Sequence, residues 1–145
     1  MIATGARAAE LPIPGLAEAG YLTNESVFSL TELPARIVVV GAGPIGCEMA
    51  QSFRRLGSQV TIVSLDDDLL PREDQDAATV LKRQFEQDGI ELCLEARLQR
   101  VDGGDEGSTV VFDRGDGPEE VVCDQVLVAV GRTPNTAGMG SRLPE

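Results

Sequence analysis

Apolar residues along the chain follow two different spacings, and the change in spacing divides the chain into regions. Residues 36–40, RIVVV, form a short β-branched run that is typical of a strand buried on both faces. Similar runs are QVTIV at 59–63, IELCL at 90–94 and QVLVAV at 125–130. These runs predict the strands of a buried parallel sheet.

Two segments between these runs have helical spacing. Residues 44–56 begin with Pro44, whose missing N–H costs nothing at a first helical position, and Gly57 suits the end of that helix. Residues 74–88 have acidic residues at their start and Gly89 just past their end. The faces expected to pack on the sheet are Ile45, Met49, Phe53 and Leu56 in the first helix, and Ala77, Leu81 and Phe85 in the second.

The spacing of apolar residues changes to two between residues 96 and 123. The runs ARLQRV, STVVFD and EEVVC are separated by DGGDEG and RGDGP, a pattern that predicts an antiparallel meander with glycine turns. The order of elements therefore predicts an α/β fold, a Rossmann-like βαβαβ parallel sheet with a three-stranded antiparallel meander.

The first 34 residues have a different character. Pro12, Pro14 and Pro34 disfavour regular structure through much of this segment, although Asn24 could cap a short helix over ESVFSL. We expect this segment to act as a connector that contributes little to the core.

Composition narrows the classes of function. The chain has 145 residues, which is enough for one domain, and a net charge of −12, which argues against nucleic acid or an anionic membrane as partner. No apolar run approaches the ~20 residues that span a bilayer, and no signal peptide is recognisable, so a cytoplasmic protein is expected. Without histidine, and with three cysteines far apart, a metal site is not expected, and the cysteines are expected to be buried as small apolar residues.

Three glycines between the first strand and the first helix carry the clearest chemical signal. Gly41, Gly43 and Gly46 form G-x-G-x-x-G, in which the glycines allow a tight turn, a close approach to a pyrophosphate and close packing of helix on sheet. The motif lies in a βαβ unit, the context that such a nucleotide site requires. The alternatives are a glycine-rich turn beside an empty crevice, and a methyltransferase, which also has a glycine-rich first loop.

Flanking motifs add a resemblance that covers residues 2–139. IATGA, GAGPIGCEMAQSFRRLGSQVTIV and VLVAVGRTPN occur in this order. With them the chain resembles the NAD(P)-binding domain of the flavin-dependent pyridine nucleotide–disulphide oxidoreductases, which include dihydrolipoamide dehydrogenase, glutathione reductase and mercuric reductase. The form GPIGCEMAQ is most similar to the mercuric-reductase-like branch.

The resemblance implies a set of site residues. Glu48 matches a catalytic glutamate near the nicotinamide and flavin; the less favoured alternative is an ordinary exposed helix glutamate. Ser64 matches the ribose-reading position, and Leu98 matches an apolar contact beside the adenine. The pyrophosphate loop comprises Gly41, Ala42, Gly43, Pro44, Ile45 and Gly46, and the backbone along the nicotinamide comprises Ala129, Val130 and Gly131.

Two segments match the passages between domains. Ala3, Thr4 and Gly5 match the passage from the flavin domain. Arg132, which the resemblance also implies as a cofactor-binding residue, begins the return with Pro134 and Asn135.

Departures from the family pattern suggest a part of a longer enzyme. Pro44 stands where some members have a gating tyrosine, and the chain has no flavin-domain glycine loop, no paired redox cysteines and no dimerisation domain. We expect residues 1–34 to be the connector from a missing FAD domain, residues 35–137 the NAD(P)-binding domain, and residues 138–145 a tail. The parent would be a homodimeric FAD-dependent oxidoreductase and this chain inactive alone; the alternative is a stand-alone nucleotide-binding or redox-sensing module without catalysis.

Ser64 bears on the choice of nucleotide. NAD sites usually offer a carboxylate to the ribose and NADP sites an arginine, and Ser64 is neither. The acidic run at 66–68 follows at once, which predicts a weak preference for NADH over NADPH, with FAD bound only in the parent. The opposite preference would follow if Arg72 or Arg97 folded onto the 2′-phosphate.

Overall fold

The computed structural model describes residues 3–104 and 107–137, which form an α/β fold. The helices among them are α1 (Leu16–Ala19), α2 (Pro44–Leu56) and α3 (Gln75–Asp88), with a single 3₁₀ turn at Val27–Ser29. The strands are β1 (Ala6–Ala8), β2 (Arg36–Val40), β3 (Gln59–Val63), β4 (Glu91–Cys93), β5 (Arg97–Gly104), β6 (Gly107–Asp113), β7 (Pro118–Cys123), β8 (Gln125–Val128) and β9 (Arg132–Pro134).

The parallel sheet has the strand order β4-β3-β2-β8, so β2 lies between β3 and the last parallel strand. Its register pairs Val39 with Ile62 on one side and with Leu127 on the other. From β2 the chain adds β3 and β4 on one side of the sheet, and later adds β8 on the other side. An α/β fold binds its ligand at such a point, in the crevice at the carboxyl ends of the strands.

Alternate residues of the sheet enter two different cores, as the continuous apolar runs predicted. Val38 and Val40 of β2 face a core shared with the meander, while Ile37 and Val39 face a core shared with the helices. The antiparallel meander has the order β5-β6-β7 and contributes Val101, Val110 and Phe112 to the first core. The predicted fold class, a parallel sheet with a separate three-stranded meander, is confirmed.

Several strands were predicted too short or too long. Strands β5 and β6 extend into the predicted DGGDEG turn, as far as Gly104 and from Gly107, because the two strands pair across it. The strands predicted at 90–94 and 125–130 are limited to Glu91–Cys93 and Gln125–Val128. The predicted tail, 138–145, lies outside the described residues.

The buried face of α2 differs from the one predicted. Gly46, Cys47, Ala50 and Phe53 are buried, whereas Leu56 is 69% exposed and Ile45 and Met49 are only half-buried. Small residues on this face let the helix axis approach the sheet closely, which the count of large apolar residues did not reveal. In α3 the buried residues are Ala78 and Phe85, and Ala77 is exposed.

The N-terminal segment is part of the fold to a greater extent than predicted. Leu16 is fully buried in the meander-side core and Val27 is buried in the helix-side core. Strand β1 pairs with β9, and Pro14 O accepts a hydrogen bond from Val101 N at 2.9 Å. The expectation that this segment adds little to the core is therefore wrong for these positions.

The predicted cap at Asn24 is also wrong. Thr23 Oγ1 accepts hydrogen bonds from Glu25 N at 3.2 Å and Ser26 N at 3.4 Å, and Ser26 Oγ accepts one from Thr23 N at 2.9 Å. The reciprocal Thr23–Ser26 pair satisfies the backbone N–H groups at the start of a short turn, which then continues as the 3₁₀ turn at Val27–Ser29.

An ion pair closes the amino-terminal end of the sheet. Arg36 Nε donates to Asp124 Oδ1 at 3.0 Å, and the backbone N–H of Arg36 donates to Asp124 Oδ2 at 2.8 Å. The Arg36 guanidinium accordingly lowers the pKa of the Asp124 carboxyl. The pair joins the first residue of β2 to the junction of β7 and β8.

We predict that Asp124→Asn lowers the free energy of unfolding by about 1–2 kcal/mol, because charge-assisted hydrogen bonds are lost at a partly exposed site. Since the pKa of Asp124 is lowered in the folded state, its stabilisation is present above the unfolded-state value of 3.8. That stabilisation is lost as the pH falls through the lower folded-state value. Urea denaturation at pH 7 and across the acid range measures both effects.

The matched control is Asp102→Asn, which removes an exposed carboxylate bound to Arg100 Nε at 2.9 Å within one strand. Such a surface pair contributes less than about 0.5 kcal/mol, so the control should unfold almost like the wild type. Equal losses in the two variants would contradict the assigned role of Asp124.

Candidate nucleotide-binding site

Two of the three glycines in the turn between β2 and α2 are required by backbone packing. A Cβ on Gly41 would lie 2.7 Å from the carbonyl oxygen of Ala129, and Gly41 has a φ of +110°. A Cβ on Gly46 would overlap the carbonyl oxygen of Gly41. These contacts bring the start of α2 directly against the carboxyl end of β2.

Gly43 differs from the other two glycines. Its backbone is extended, with φ −74° and ψ 179°, a conformation that any residue adopts. A Cβ built there meets no described atom within 4 Å. Neither strain nor packing within the described residues accounts for glycine at this position, whereas a ligand that approaches the backbone closely would.

Two hydrogen bonds to its carbonyl oxygen fix the orientation of the peptide group between Ala42 and Gly43. The carbonyl oxygen of Ala42 accepts hydrogen bonds from Leu70 N at 2.8 Å and from Cys47 Sγ at 3.3 Å. Because the peptide is trans, the N–H of Gly43 points away from Leu70. No side chain caps α2, so its first N–H groups and its dipole are available to an anion.

The residues predicted to line the nicotinamide half lie beside this turn. Ala129 N donates to Val40 O at 2.8 Å, and Val130 is 40% exposed. Gly131 is exposed with a φ of +120°, and its carbonyl oxygen accepts a hydrogen bond from Ala9 N at 3.0 Å. Arg132 Nη2 donates to Ala6 O at 2.7 Å, so this arginine is occupied in joining β9 to β1.

Glu48 lies in the first turns of α2 with its side chain exposed. Its neighbour Cys47 is buried, and burial raises the pKa of the Cys47 thiol to about 11. Cys93 and Cys123 are also free, buried and raised in pKa to about 11 by burial, as expected for small apolar residues. These raised pKa values keep all three thiols protonated at neutral pH.

A cavity of about 600 Å³ lies beyond the carboxyl ends of β3 and β4. Ser64 directly follows β3 but is only 3% exposed, and its hydroxyl is hydrogen-bonded to Asp66. Leu98 is 8% exposed and packs in the meander-side core, while its neighbour Arg97 lines the cavity. The cavity is lined by Leu65, Asp66, Asp67, Glu95, Arg97, Asp113, Arg114 and Gly115.

A second cavity of about 410 Å³ lies at the opposite end of the sheet, lined by Arg36, Arg54 and Glu91 among others. It contains neither the glycine turn nor the start of a helix, so the carboxyl edge is the better candidate site. Among the described residues, no group of three or more Cys, Asp or Glu side chains is arranged to hold a metal ion. No helix in the described part of the chain is both long and apolar enough to cross a membrane.

The structure places residues 129–131 beside the glycine turn. Sequence reasoning missed the hydrogen bonds that support the turn from the loop after β3. Leu70 has a φ of +52°, which is unusual for a non-glycine residue, and no sequence pattern indicates that its N–H reaches Ala42. The Ser-x-Asp spacing at 64–66 did carry a signal, because serine often bonds to the backbone two residues on. The predicted roles of Glu48, Ser64 and Leu98 toward a nucleotide remain predictions.

Comparison with known proteins identifies relatives over nearly the whole chain. The family model described as pyridine nucleotide-disulphide oxidoreductase matches residues 1–143. Dihydrolipoyl dehydrogenase of Bacillus subtilis is 40% identical over 139 residues, which are 96% of this chain and 30% of that protein. Mercuric reductase of Staphylococcus aureus is 37% identical over 137 residues, covering 94% of this chain and 25% of the relative.

Comparison with solved structures also identifies relatives over nearly the whole chain. The HOCl-induced flavoprotein disulfide reductase RclA of Escherichia coli superposes with a TM-score of 0.83 at 32% identity, covering 93% of this chain and 30% of RclA. LpdA of Mycobacterium tuberculosis gives 0.82 at 36% identity, covering 94% of this chain and 29% of LpdA. This chain therefore spans roughly a quarter to a third of the length of these relatives, and it belongs to the pyridine nucleotide-disulphide oxidoreductase family.

Proposed function

We propose that this chain is the NAD(P)H-binding part of an FAD-dependent oxidoreductase of the disulphide-reductase or mercuric-reductase type. The observation that carries the proposal is Gly43, where the described atoms leave open space and the backbone needs no glycine. Gly41 and Gly46 beside it are each explained by a backbone contact. Close approach of a pyrophosphate explains the glycine that protein packing does not.

Different residues at the carboxyl edge of the sheet bind different parts of the nucleotide. The backbone of Ala42–Gly46 and the start of α2 bind the pyrophosphate through N–H groups and the helix dipole. Residues 129–131 support the nicotinamide half, and Glu48 lies on the same helix as a candidate to position it. The cavity beyond β3 receives the adenosine half.

A bound nicotinamide supplies a hydride, which in the parent enzyme would pass to flavin. This chain's own residues bind and orient the nucleotide, and the FAD is held by other domains of a parent homodimer. A disulphide or a metal ion would be the substrate of the parent enzyme. The location of the protein in the cytoplasm stays a prediction. Family membership favours neither a stand-alone module nor a methyltransferase.

We predict that Gly43→Val weakens NADH binding at least tenfold, which corresponds to about 1.4 kcal/mol. The substitution fits the extended backbone without strain, so the loss comes from a side chain that blocks the pyrophosphate. Isothermal titration calorimetry with NADH measures the change, and circular dichroism checks that the variant is folded.

Gly104→Val is the matched control. Gly104 ends β5 far along the meander, and a Cβ there makes only an ordinary contact, 3.5 Å from Gly107 O. NADH should bind this variant like the wild type. Undiminished binding to Gly43→Val would contradict the assignment of the glycine turn.

We predict that this chain alone does not turn over NADH. It has no histidine for acid–base work, and its three cysteines are buried singly rather than paired. NADH absorbance at 340 nm should fall at the buffer rate with a disulphide, mercuric ion or a dye as acceptor. Dihydrolipoyl dehydrogenase of Bacillus subtilis serves as the positive control, and steady oxidation by a flavin-free preparation of this chain would contradict the prediction.

The cavity beyond β3 is predominantly acidic. Four carboxylates line it, against two arginines, Arg97 and Arg114. Arg114 Nε and Nη2 are bonded to the two oxygens of Glu119 at 2.7 and 2.5 Å, so much of its charge is already neutralised. A 2′-phosphate carries close to two negative charges, and each nearby carboxylate costs a few tenths to about 1 kcal/mol at ~5 to 8 Å.

We predict that NADH binds more tightly than NADPH by roughly a few-fold to tenfold at low salt. Added salt screens the repulsion, so the preference should shrink as ionic strength rises. Calorimetric titration of both nucleotides at two salt concentrations measures this. Tighter NADPH binding that weakens with salt would instead indicate that Arg97 or Arg72 clamps the phosphate.

A further inference from the structure

Ser64 lies where a dinucleotide site usually carries a ribose-binding carboxylate, but its side chain is committed elsewhere. Ser64 Oγ donates its single proton to Asp66 Oδ2 at 2.9 Å and accepts a hydrogen bond from Asp66 N at 3.2 Å. The side chain is 3% exposed. Ser64 therefore has no proton left to donate to a ribose and little surface with which to touch one.

The same contacts fix the carboxylate of Asp66 in place. One of its oxygens is held by Ser64, and its backbone carbonyl accepts a hydrogen bond from Glu95 N at 2.9 Å. The other oxygen, Oδ1, has no partner among the described residues, and Asp66 lines the cavity beyond β3. Asp66 thus offers a pre-positioned acceptor at the carboxyl edge of the sheet.

We propose that Asp66, held by Ser64, is the carboxylate that accepts hydrogen bonds from the adenosine ribose and sets the preference for NADH. Asp66 lies two residues beyond the position at which such units place their ribose carboxylate, which is Ser64 here. An anchored acceptor loses little freedom on binding, and it repels a 2′-phosphate at short range. This inference rests on the proposed nucleotide site.

The neighbouring acidic residues are placed differently. Asp68 accepts hydrogen bonds from Leu69 N and Gln75 Nε2, both at 2.8 Å, and lies 3.3 Å from Lys82 Nζ. It is therefore engaged with the start of α3. Asp67 is exposed and, among the described residues, its carboxylate makes no hydrogen bond or ion pair, so it shares the charge of Asp66 without its anchoring.

The test compares the binding of NADH and NADPH by calorimetry to the full chain and to three variants. Asp66→Asn keeps the shape of the side chain, and should weaken NADH binding about tenfold while leaving NADPH unchanged or tighter. Ser64→Ala removes the anchor, and should weaken NADH binding about threefold. Asp67→Asn is the control for charge alone, and should change either affinity less than twofold, with the change vanishing in high salt.

Each outcome decides the inference. A wild-type chain that binds neither nucleotide overturns the proposed function and this inference with it. If the wild type binds NADH and Asp66→Asn binds it equally well, the nucleotide site stands and the role of Asp66 is overturned. Equal losses in Asp66→Asn and Asp67→Asn that disappear in high salt would also overturn it, because they would reduce the effect to unspecific charge.

Discussion

The close contact between the glycine turn and the first residues of α2 is the constraint on which the site depends. The carbonyl oxygen of Gly41 fills the space that a side chain at Gly46 would need, and Gly41 itself fits under the carbonyl of Ala129. The end of β2, the start of α2 and the residue that follows β8 therefore meet in direct backbone-to-backbone contacts. Such a contact has no rotamers to adjust, so the N–H groups at the start of α2 are fixed relative to β2 and β8.

The loop after β3 extends this rigid edge toward the cavity beyond β3. Leu69 is fully buried, and Leu70 takes a left-handed conformation that costs of order 1 kcal/mol or more. The hydrogen bond from Leu70 N to Ala42 O and the burial of Leu69 offset this cost. Ser64 O and Asp66 O are tied to the chain after β4, so the loop is held on both sides. The glycine turn and the loop after β3 thus form one connected rim.

Patterns within a few residues predicted the parts of the fold that local physics determines. The β-branched runs gave the parallel strands, and the spacing of the glycine triplet gave the turn at residues 41–46. The contact of Gly46 with Gly41 is local, whereas the contact of Gly41 with Ala129 is not. Residues whose environment comes from distant segments were harder to predict. Leu16 enters the core because α1 packs on β5, and Leu98 turns inward toward that same core, contacts that no local pattern encodes.

In the proposed function, the groups that bind a nucleotide are different from the groups that distinguish one nucleotide from another. At the glycine turn, the proposed binding groups are backbone N–H groups whose positions are set by packing. We therefore expect a side chain introduced there to abolish binding. The side chains proposed to discriminate lie on the loop after β3, whose backbone near Ser64 and Asp66 is held by hydrogen bonds to the chain after β4. A change of residue type at position 64 can therefore leave the fold and the turn intact. Under the inference drawn above, such a change transfers the choice of nucleotide to Asp66, which the same loop holds at the cavity.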